Sequence, residues 1–167
     1  MALRNDVNLK SEQEVTHLYS RLWQHIDDFQ TSQVIDQFLY ILALPRDWCE
    51  NKCCIDVGTG SGFAIWVLLQ LGAILHACDL GYLSLKQVQK TIHPACDLIN
   101  SSVLQLPYQT NTFDFVYCNN LHHHTTNPRL GFNECVRVAS PGGILFVGLY
   151  GKRGIYNTAL HFGRMFA

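Results

Sequence analysis

Hydrophobic residues recur at helical spacing in the first quarter of the chain. A first helix is predicted from an apolar stripe formed by Val15, Leu18, Tyr19, Leu22, Trp23 and Ile26. Ser11 followed by Glu14 is typical of the capping box that begins such a helix. A second helix is predicted after Thr31 or Ser32, and it ends before Pro45.

From about residue 53 the pattern changes to short apolar runs. These runs predict five strands, at Cys53–Val57, Ile74–Cys78, Leu98–Asn100, Phe113–Cys118 and Ile144–Leu149. Helix-like stretches lie between them, at Phe63–Leu71, Leu83–Ile92 and Pro128–Val138. The last stretch ends at the predicted turn Pro141-Gly142-Gly143. Alternation of this kind predicts right-handed strand–helix–strand units and a doubly wound α/β sheet.

The turn after the first predicted strand reads GTGSG. Gly58, Gly60 and Gly62 allow close approach to a ligand, and the helix that follows directs free N–H groups toward it. A dinucleotide fingerprint needs a third glycine where this chain has Phe63, and a phosphate-binding G-x-x-x-x-G-K-[ST] loop is absent. Asp56 would repel a pyrophosphate and suits a ligand with a cationic amino group. These residues argue against a phosphate-containing ligand more firmly than they identify the ligand that binds instead.

A second acid, Asp79, closes the second predicted strand. An acid about 20 residues after such a turn accepts hydrogen bonds from ribose hydroxyls. Asp79 therefore fits NAD and other adenosine ligands alike, and a nicotinamide-dependent oxidoreductase stays open as an alternative.

Composition adds further limits. The 167 residues fit one domain, and 48% hydrophobic with 15% charged residues is a globular composition. A net charge of −1 gives no electrostatic reason to expect nucleic acid or a membrane surface as a partner. Without a long apolar run or a secretory signal, we expect a soluble, cytoplasmic protein. The seven cysteines show no C-x-x-C spacing and are interpreted as small buried hydrophobic residues.

Four segments in register resemble class I S-adenosylmethionine-dependent methyltransferases, especially the group with a methyltransferase-11-like domain. They are IDVGTGSG, CDL, LQLPYQTNTFDFVYCNNLHHHTTNP and ECVRVASPGGILFVGLYGK. The resemblance covers about residues 50–152. We therefore expect a Rossmann-like, mainly parallel sheet of about five strands in the order 3-2-1-4-5. Helices would cover both faces, and a helical segment would precede the sheet.

The resemblance implies S-adenosylmethionine as cofactor and S-adenosylhomocysteine as product. Asp56 and the backbone of Gly58, Thr59, Gly60 and Gly62 would surround the methionine amino and carboxylate groups.

For the adenosine half, the resemblance implies that Asp79 holds the ribose. Adenine would lie between Leu80 and Val103, with the Val103 backbone N–H near its edge, and Asn119 would line the methionine side and the substrate entry. The family commonly has an Asp where this chain has Ser102. A hydroxyl still accepts a hydrogen bond from the adenine amino group, but without charge assistance.

Catalysis in such a site depends mainly on positioning, because the sulfonium of the cofactor activates the methyl group. No catalytic residue is identified, and His123 and His124 are the candidates for a base or a substrate contact. Because adjacent side chains diverge, His122, His123 and His124 are not expected to meet on one ion, and no metal site is predicted. Asp114 is expected to be structural.

Residues 1–48 are expected to form helices that cap the cofactor within the same domain, and residues 49–167 its binding core. The family usually continues past the fifth strand with a helix and two antiparallel strands, so the chain is expected to be a fragment or a minimal variant. Its fifth strand would be an exposed edge, suited to a homodimer. The expected function is methyl transfer to a small-molecule acceptor; the alternatives are the oxidoreductase and a non-catalytic cofactor-binding fragment.

Overall fold

A five-stranded sheet and four helices make up the part of the chain that the computed structural model describes, residues 32–92 and 96–149. The strands are β1 Cys53–Val57, β2 Ile74–Asp79, β3 Cys96–Asn100, β4 Phe113–Asn119 and β5 Ala139–Gly148. The helices are α1 Ser32–Leu42, α2 Phe63–Gln70, α3 Tyr82–Ile92 and α4 Pro128–Val138, with a short 3-10 helix at His122–His124. The predicted first helix, with Tyr19 and Trp23, lies outside the described residues.

All strand pairs are parallel, and the strands lie in the order β3-β2-β1-β4-β5. This order confirms the predicted doubly wound sheet. From β1 the chain adds β2 and β3 on one side of the sheet, and then β4 and β5 on the other side. At such a switch point, here between β1 and β4, the loops after the two strands separate and leave a crevice for a ligand. Within the described ranges, none of the helices has the length and apolar character needed to cross a membrane.

Two groups of buried side chains lie on the two faces of the sheet. Because neighbouring residues in a strand point to opposite faces, Cys54 and Ile55 of β1 belong to different groups. The first group packs under α1 and α2 and includes Ile35, Phe38, Leu39, Ile65, Leu68, Phe115 and Tyr117. The second packs under α4 and includes Val57, Cys78, Val103, Phe113, Val116, Cys135 and Val138. Helix α1 is therefore part of the same core as the sheet.

The fifth strand begins earlier than predicted, at Ala139. Ala139 already pairs with Phe113, and the register then shifts so that Phe115 pairs with Ile144. The Pro-Gly-Gly segment is therefore an irregularity within the strand, where the sequence predicts a turn before it. A Cβ on Gly143 would lie 2.9 Å from two backbone carbonyl oxygens, which explains why glycine stands there.

An ion pair on α4 holds the turn before β4. The Arg137 guanidinium donates to both carboxylate oxygens of Glu134 and to the carbonyls of Leu106, at 3.0 Å, and Tyr108, at 2.7 Å. Glu134 in turn accepts from the Leu106 backbone N–H at 2.8 Å. Asp114 accepts from the backbone N–H of Cys53 at 2.9 Å, which is the structural role the sequence predicts for it.

We expect Arg137→Ala to lower the free energy of unfolding by about 2 kcal/mol, because two carbonyls and a carboxylate lose their donor. Arg129→Ala, an exposed position on the same helix, should change it by less than about 0.5 kcal/mol. Urea unfolding of both variants measures the difference. Equal stability of the two variants would contradict the assigned role of Arg137.

Candidate functional site

The glycine turn between β1 and α2 forms the centre of the site. Gly58, Gly60 and Gly62 have φ angles of +79°, +53° and +82°, which side-chain-bearing residues rarely adopt. Gly62 is the N-cap of α2 and supplies no side chain to bond the first N–H groups of the helix. The N-terminus of α2 carries the positive end of the helix dipole, which favours an anionic group of a ligand at this position.

Asp79 at the end of β2 is tied to this turn. Its two carboxylate oxygens accept from the backbone N–H groups of Gly60, at 2.8 Å, and Gly81, at 2.6 Å. Burial raises the pKa of Asp79, and these two bonds oppose the rise. Each carboxylate oxygen keeps a second lone pair for a further donor.

Asn100 strengthens the same loop and was not identified from the sequence as a site residue. Its side-chain amide donates to the carbonyls of Asp79, at 2.8 Å, and Leu80, at 3.0 Å. The available signal was its position, a polar residue at the carboxyl end of a predicted strand.

Asp56 lies beneath the turn and is only 2% exposed. Its carboxylate accepts a hydrogen bond of 2.7 Å from the Thr59 hydroxyl. Burial raises the pKa of Asp56 to about 7, the Thr59 bond opposes this, and the nearby charge of Asp79 adds to it. A cation placed near this group would favour its ionised form.

The segment after β3 contains Ser102 and Val103, two of the residues predicted to contact adenine. Ser102 accepts from the backbone N–H of Leu104 at 3.1 Å through its hydroxyl. The side chain of Val103 is buried in the core beneath α4, where a Cβ added to Gly131 would lie 3.3 Å from it. Through this packing the core fixes the position of the Val103 backbone.

The loop after β4 forms the opposite side of the crevice. Asn119 is exposed at the end of β4, beside Gly148, where its side chain leaves no room for a Cβ. Leu121 contacts the glycine turn, since a Cβ on Gly58 would lie 2.7 Å from its Cδ2. The sequence did not identify Leu121, because its partner lies 63 positions earlier in the chain.

Of the three consecutive histidines, His122 turns into the core while His123 and His124 stay together outside it, so the prediction that adjacent side chains diverge holds for His122 and is wrong for the other two. His123 is exposed and His124 is half-buried, and their ring centroids lie 4.0 Å apart. Burial lowers the pKa of His123 and lowers that of His124 to about 4. Both are therefore largely neutral at pH 7, and His124 is the weaker base.

His122 faces the interior, where it meets two cysteines. Its Nε2 lies 3.9 Å from the Sγ of Cys135, and Cys118 lies close to both residues. This cluster was not predicted, because a strand, a 3-10 helix and α4 each contribute one member. All the cysteines in the described residues are free thiols, and most of them are buried, as the sequence predicts.

A family model described as a methyltransferase domain matches residues 55–147 of the chain. A tRNA U34 carboxymethyltransferase of Pseudoalteromonas atlantica is 32% identical over 71% of the chain and 38% of its own length. A ubiquinone biosynthesis O-methyltransferase of Azoarcus sp. is 26% identical over 80% of the chain and 59% of its own length. The chain therefore spans about two fifths to three fifths of the length of these relatives.

The crystal structure of the [4+2]-cyclase SpnF has the same fold. It superimposes with a TM-score of 0.70 at 20% identity, over 87% of this chain and 63% of its own. At this identity the likeness concerns the fold alone.

We expect Gly58→Ala to destabilise the protein by about 2 kcal/mol or more, through its positive φ angle and its contact with Leu121. Gly72→Ala is the matched control, because its φ is +76° but the nearest atom, on Glu50, is 3.4 Å away. That variant should cost only about 1 kcal/mol.

Removing the Leu121 side chain should relieve part of the damage. Urea unfolding should therefore find Gly58→Ala with Leu121→Ala less destabilised than the sum of the two single variants. Strict additivity, with equal losses at Gly58 and Gly72, would show that Leu121 does not restrict the turn.

Proposed function

The chain belongs to the methyltransferase-domain family of class I S-adenosylmethionine-dependent methyltransferases, and we propose that it transfers a methyl group from S-adenosylmethionine to a small-molecule acceptor. The family implies this methyl donor. The observation that carries the proposal is a glycine turn held between two acids. Asp56 is buried beneath the turn, and Asp79 is bonded to Gly60 within it.

The methionine half of the cofactor would bind at the turn itself. An ammonium group near Asp56 would compensate the cost of burying this carboxylate, which accepts a hydrogen bond from the Thr59 hydroxyl within the described part of the chain. The backbone N–H groups of Gly58 and Thr59 already donate to the Cys78 carbonyl, that of Gly60 to Asp79 and that of Gly62 to the Thr59 carbonyl. The cofactor carboxylate would therefore accept at this turn from the backbone N–H of Ser61, beside the positive end of the α2 dipole. This placement supports an amino-acid ligand over a pyrophosphate, which carries no cation for Asp56.

The adenosine half would lie over the ends of β2 and β3. Asp79 has acceptor capacity left for a ribose hydroxyl after bonding Gly60 and Gly81. Adenine would lie between Leu80 and Val103, and the buried Val103 side chain would hold the backbone N–H of that residue at the ring edge. Ser102 would accept from the adenine amino group.

Bound S-adenosylmethionine supplies a methyl group on a sulfonium, so the protein mainly has to position the acceptor and exclude water. Asn119 would line the methionine side of the crevice. If the acceptor must lose a proton, His123 is the better candidate, because His124 has a pKa near 4 and binds protons weakly.

A small-molecule acceptor is supported by the Azoarcus relative, which is named for ubiquinone biosynthesis. The Pseudoalteromonas relative is named for tRNA, but a net charge of −1 does not favour an RNA surface here. The cytoplasmic location, the division at residue 48 and a homodimer through β5 stay predictions. Among the described strands, β5 is an edge strand, as that dimer requires.

Calorimetry tests the cofactor directly. We expect S-adenosylhomocysteine to bind in the micromolar range and NADH not to bind, since a pyrophosphate would meet the Asp56 carboxylate. NADH binding at the same site would instead support the nicotinamide-dependent alternative.

Asp79→Asn should weaken S-adenosylhomocysteine binding by about tenfold. Its effect on the ribose can be separated from its effect on the turn with the 2′-deoxy form of the ligand. If Asp79 accepts from that hydroxyl, removing the hydroxyl should weaken binding to the wild-type protein. In the Asp79→Asn variant, the deoxy ligand should bind almost as well as the ligand that keeps the hydroxyl. Equal losses in both proteins would mean that Asp79 only braces the glycine turn.

Transfer itself is tested by incubating the protein with methyl-labelled cofactor and a metabolite extract. Label in a small-molecule product is the expected result. Cofactor binding without any transfer would support the non-catalytic alternative.

The affinity for S-adenosylhomocysteine should rise about tenfold between pH 5.5 and 7, because Asp56, with a pKa of about 7, becomes ionised and pairs with the ligand ammonium. Without ligand, the free energy of unfolding should fall as the pH rises from the ordinary Asp pKa to about 7. Over this range Asp56 is ionised in the unfolded chain and still protonated in the folded protein, where burial opposes its ionisation.

Asp56→Asn is the control for this pH dependence, because the pKa of Asp79 is raised as well. The variant should bind more weakly and with little change over the same pH range. A wild-type slope that persists in the variant would assign the titration to another group.

A further inference from the structure

The cluster of Cys118, His122 and Cys135 is a set of ligand-type side chains that methyl transfer does not use. The two thiols are fully buried, and the imidazole is 2% exposed. One ligand atom from each residue lies within 4.8 Å of both others. Cys118 is in β4, His122 begins the 3-10 helix and Cys135 is in α4, so the cluster joins three elements around one point.

The separations suit a single metal ion. Zinc lies about 2.3 Å from a thiolate and about 2.0 Å from an imidazole nitrogen, so the two ligand atoms stand about 3.5–3.7 Å apart at tetrahedral or trigonal angles. The observed distance from His122 Nε2 to Cys135 Sγ is 3.9 Å. The other two separations are at most 4.8 Å, so an ion would need side-chain shifts of up to about 1 Å.

The imidazole is seated in a space that α4 leaves for it. A Cβ on Gly131 would lie 2.9 Å from His122 Nδ1, so a larger residue at this position would displace the ring. Nδ1 has no hydrogen-bond partner in the described part of the chain. The ring presents the lone pair of Nε2 to an ion when its proton is on Nδ1.

We propose that Cys118, His122 and Cys135 form a Cys₂His site for a thiophilic divalent ion, for which Zn²⁺ is the best match. Two thiolates and a neutral imidazole balance the charge of a divalent cation, so the complex is neutral and compatible with burial. Binding would form two metal–sulfur bonds and one metal–nitrogen bond. Each thiol that is protonated in the free protein would release its proton to solvent.

Such an ion would join the loop after β4 to the core. Leu121, next to His122, contacts Gly58 in the glycine turn, so the ion would also stabilise one wall of the crevice. The site itself does not depend on the proposed methyl transfer and is tested without it.

Titration of the untagged, reduced chain of 167 residues with Cd²⁺ or Zn²⁺ tests the proposal. We expect one ion per chain, with a Cd²⁺–thiolate charge-transfer band and proton release into a weakly buffered solution. Cys118→Ser and Cys135→Ser should each lower the affinity at least 100-fold, and His122→Asn at least tenfold. Cys96→Ser, which changes a half-buried thiol in β3 outside the cluster, is the matched control and should bind as wild type does.

The thiols of Cys49 and Cys54 also interact with each other, so a charge-transfer band alone does not identify the ligands. A variant with both of these cysteines replaced by serine should keep the stoichiometry and the band, and loss of either in that folded variant would overturn the proposal. Absence of stoichiometric binding to the reduced chain would overturn the proposal. Unchanged binding in folded Cys118→Ser or Cys135→Ser would also overturn it. The same holds if Cys118 and Cys135 form a disulfide and the chain, once this disulfide is reduced, still binds no ion.

Discussion

The site depends on a carboxylate that bridges two strand ends. Asp79 bonds the backbone of Gly60 and Gly81, and thereby fixes the glycine turn after β1 against the loop after β2. Parallel strands bring their carboxyl ends to one edge of a sheet, so an acid at the end of β2 can reach the neighbouring turn. The bridge holds Gly60 in the middle of the turn, between two further glycines with left-handed φ angles, and α2 begins directly after the last of them. A ribose could bind there without displacing the turn, because the acid is already held in place.

The opposite wall is held by packing. Leu121 lies on Gly58, and His122 beside it is buried against α4 with two cysteines. The turn before β4 is held by hydrogen bonds, which the Glu134–Arg137 pair makes to its backbone. Loops of this kind carry function when a rigid scaffold positions them, and here side-chain contacts connect each loop to the sheet.

The fold by itself does not assign the chemistry. The SpnF structure, a [4+2]-cyclase, shares the architecture, so the activity has to be argued from the site. Asp56 is the residue that narrows the ligand class here. A carboxyl buried under a glycine turn favours a ligand that brings a positive charge, and a sulfonium amino acid meets that requirement.

The sequence by itself determined the elements and their order. The bounds of β1 were predicted correctly because a strand covered on both faces is nearly all apolar, with Asp56 as the one polar residue of β1. Those of α4 were predicted correctly because Pro128 follows a capping Asn127. The glycine turn and its two acids were also found, since each adjoins a recognisable strand. Tertiary structure alone decided the irregularity at the start of β5 and the meeting of Cys118, His122 and Cys135. Contacts between residues distant in the chain leave no local pattern, because they arise only when the helices pack on the sheet.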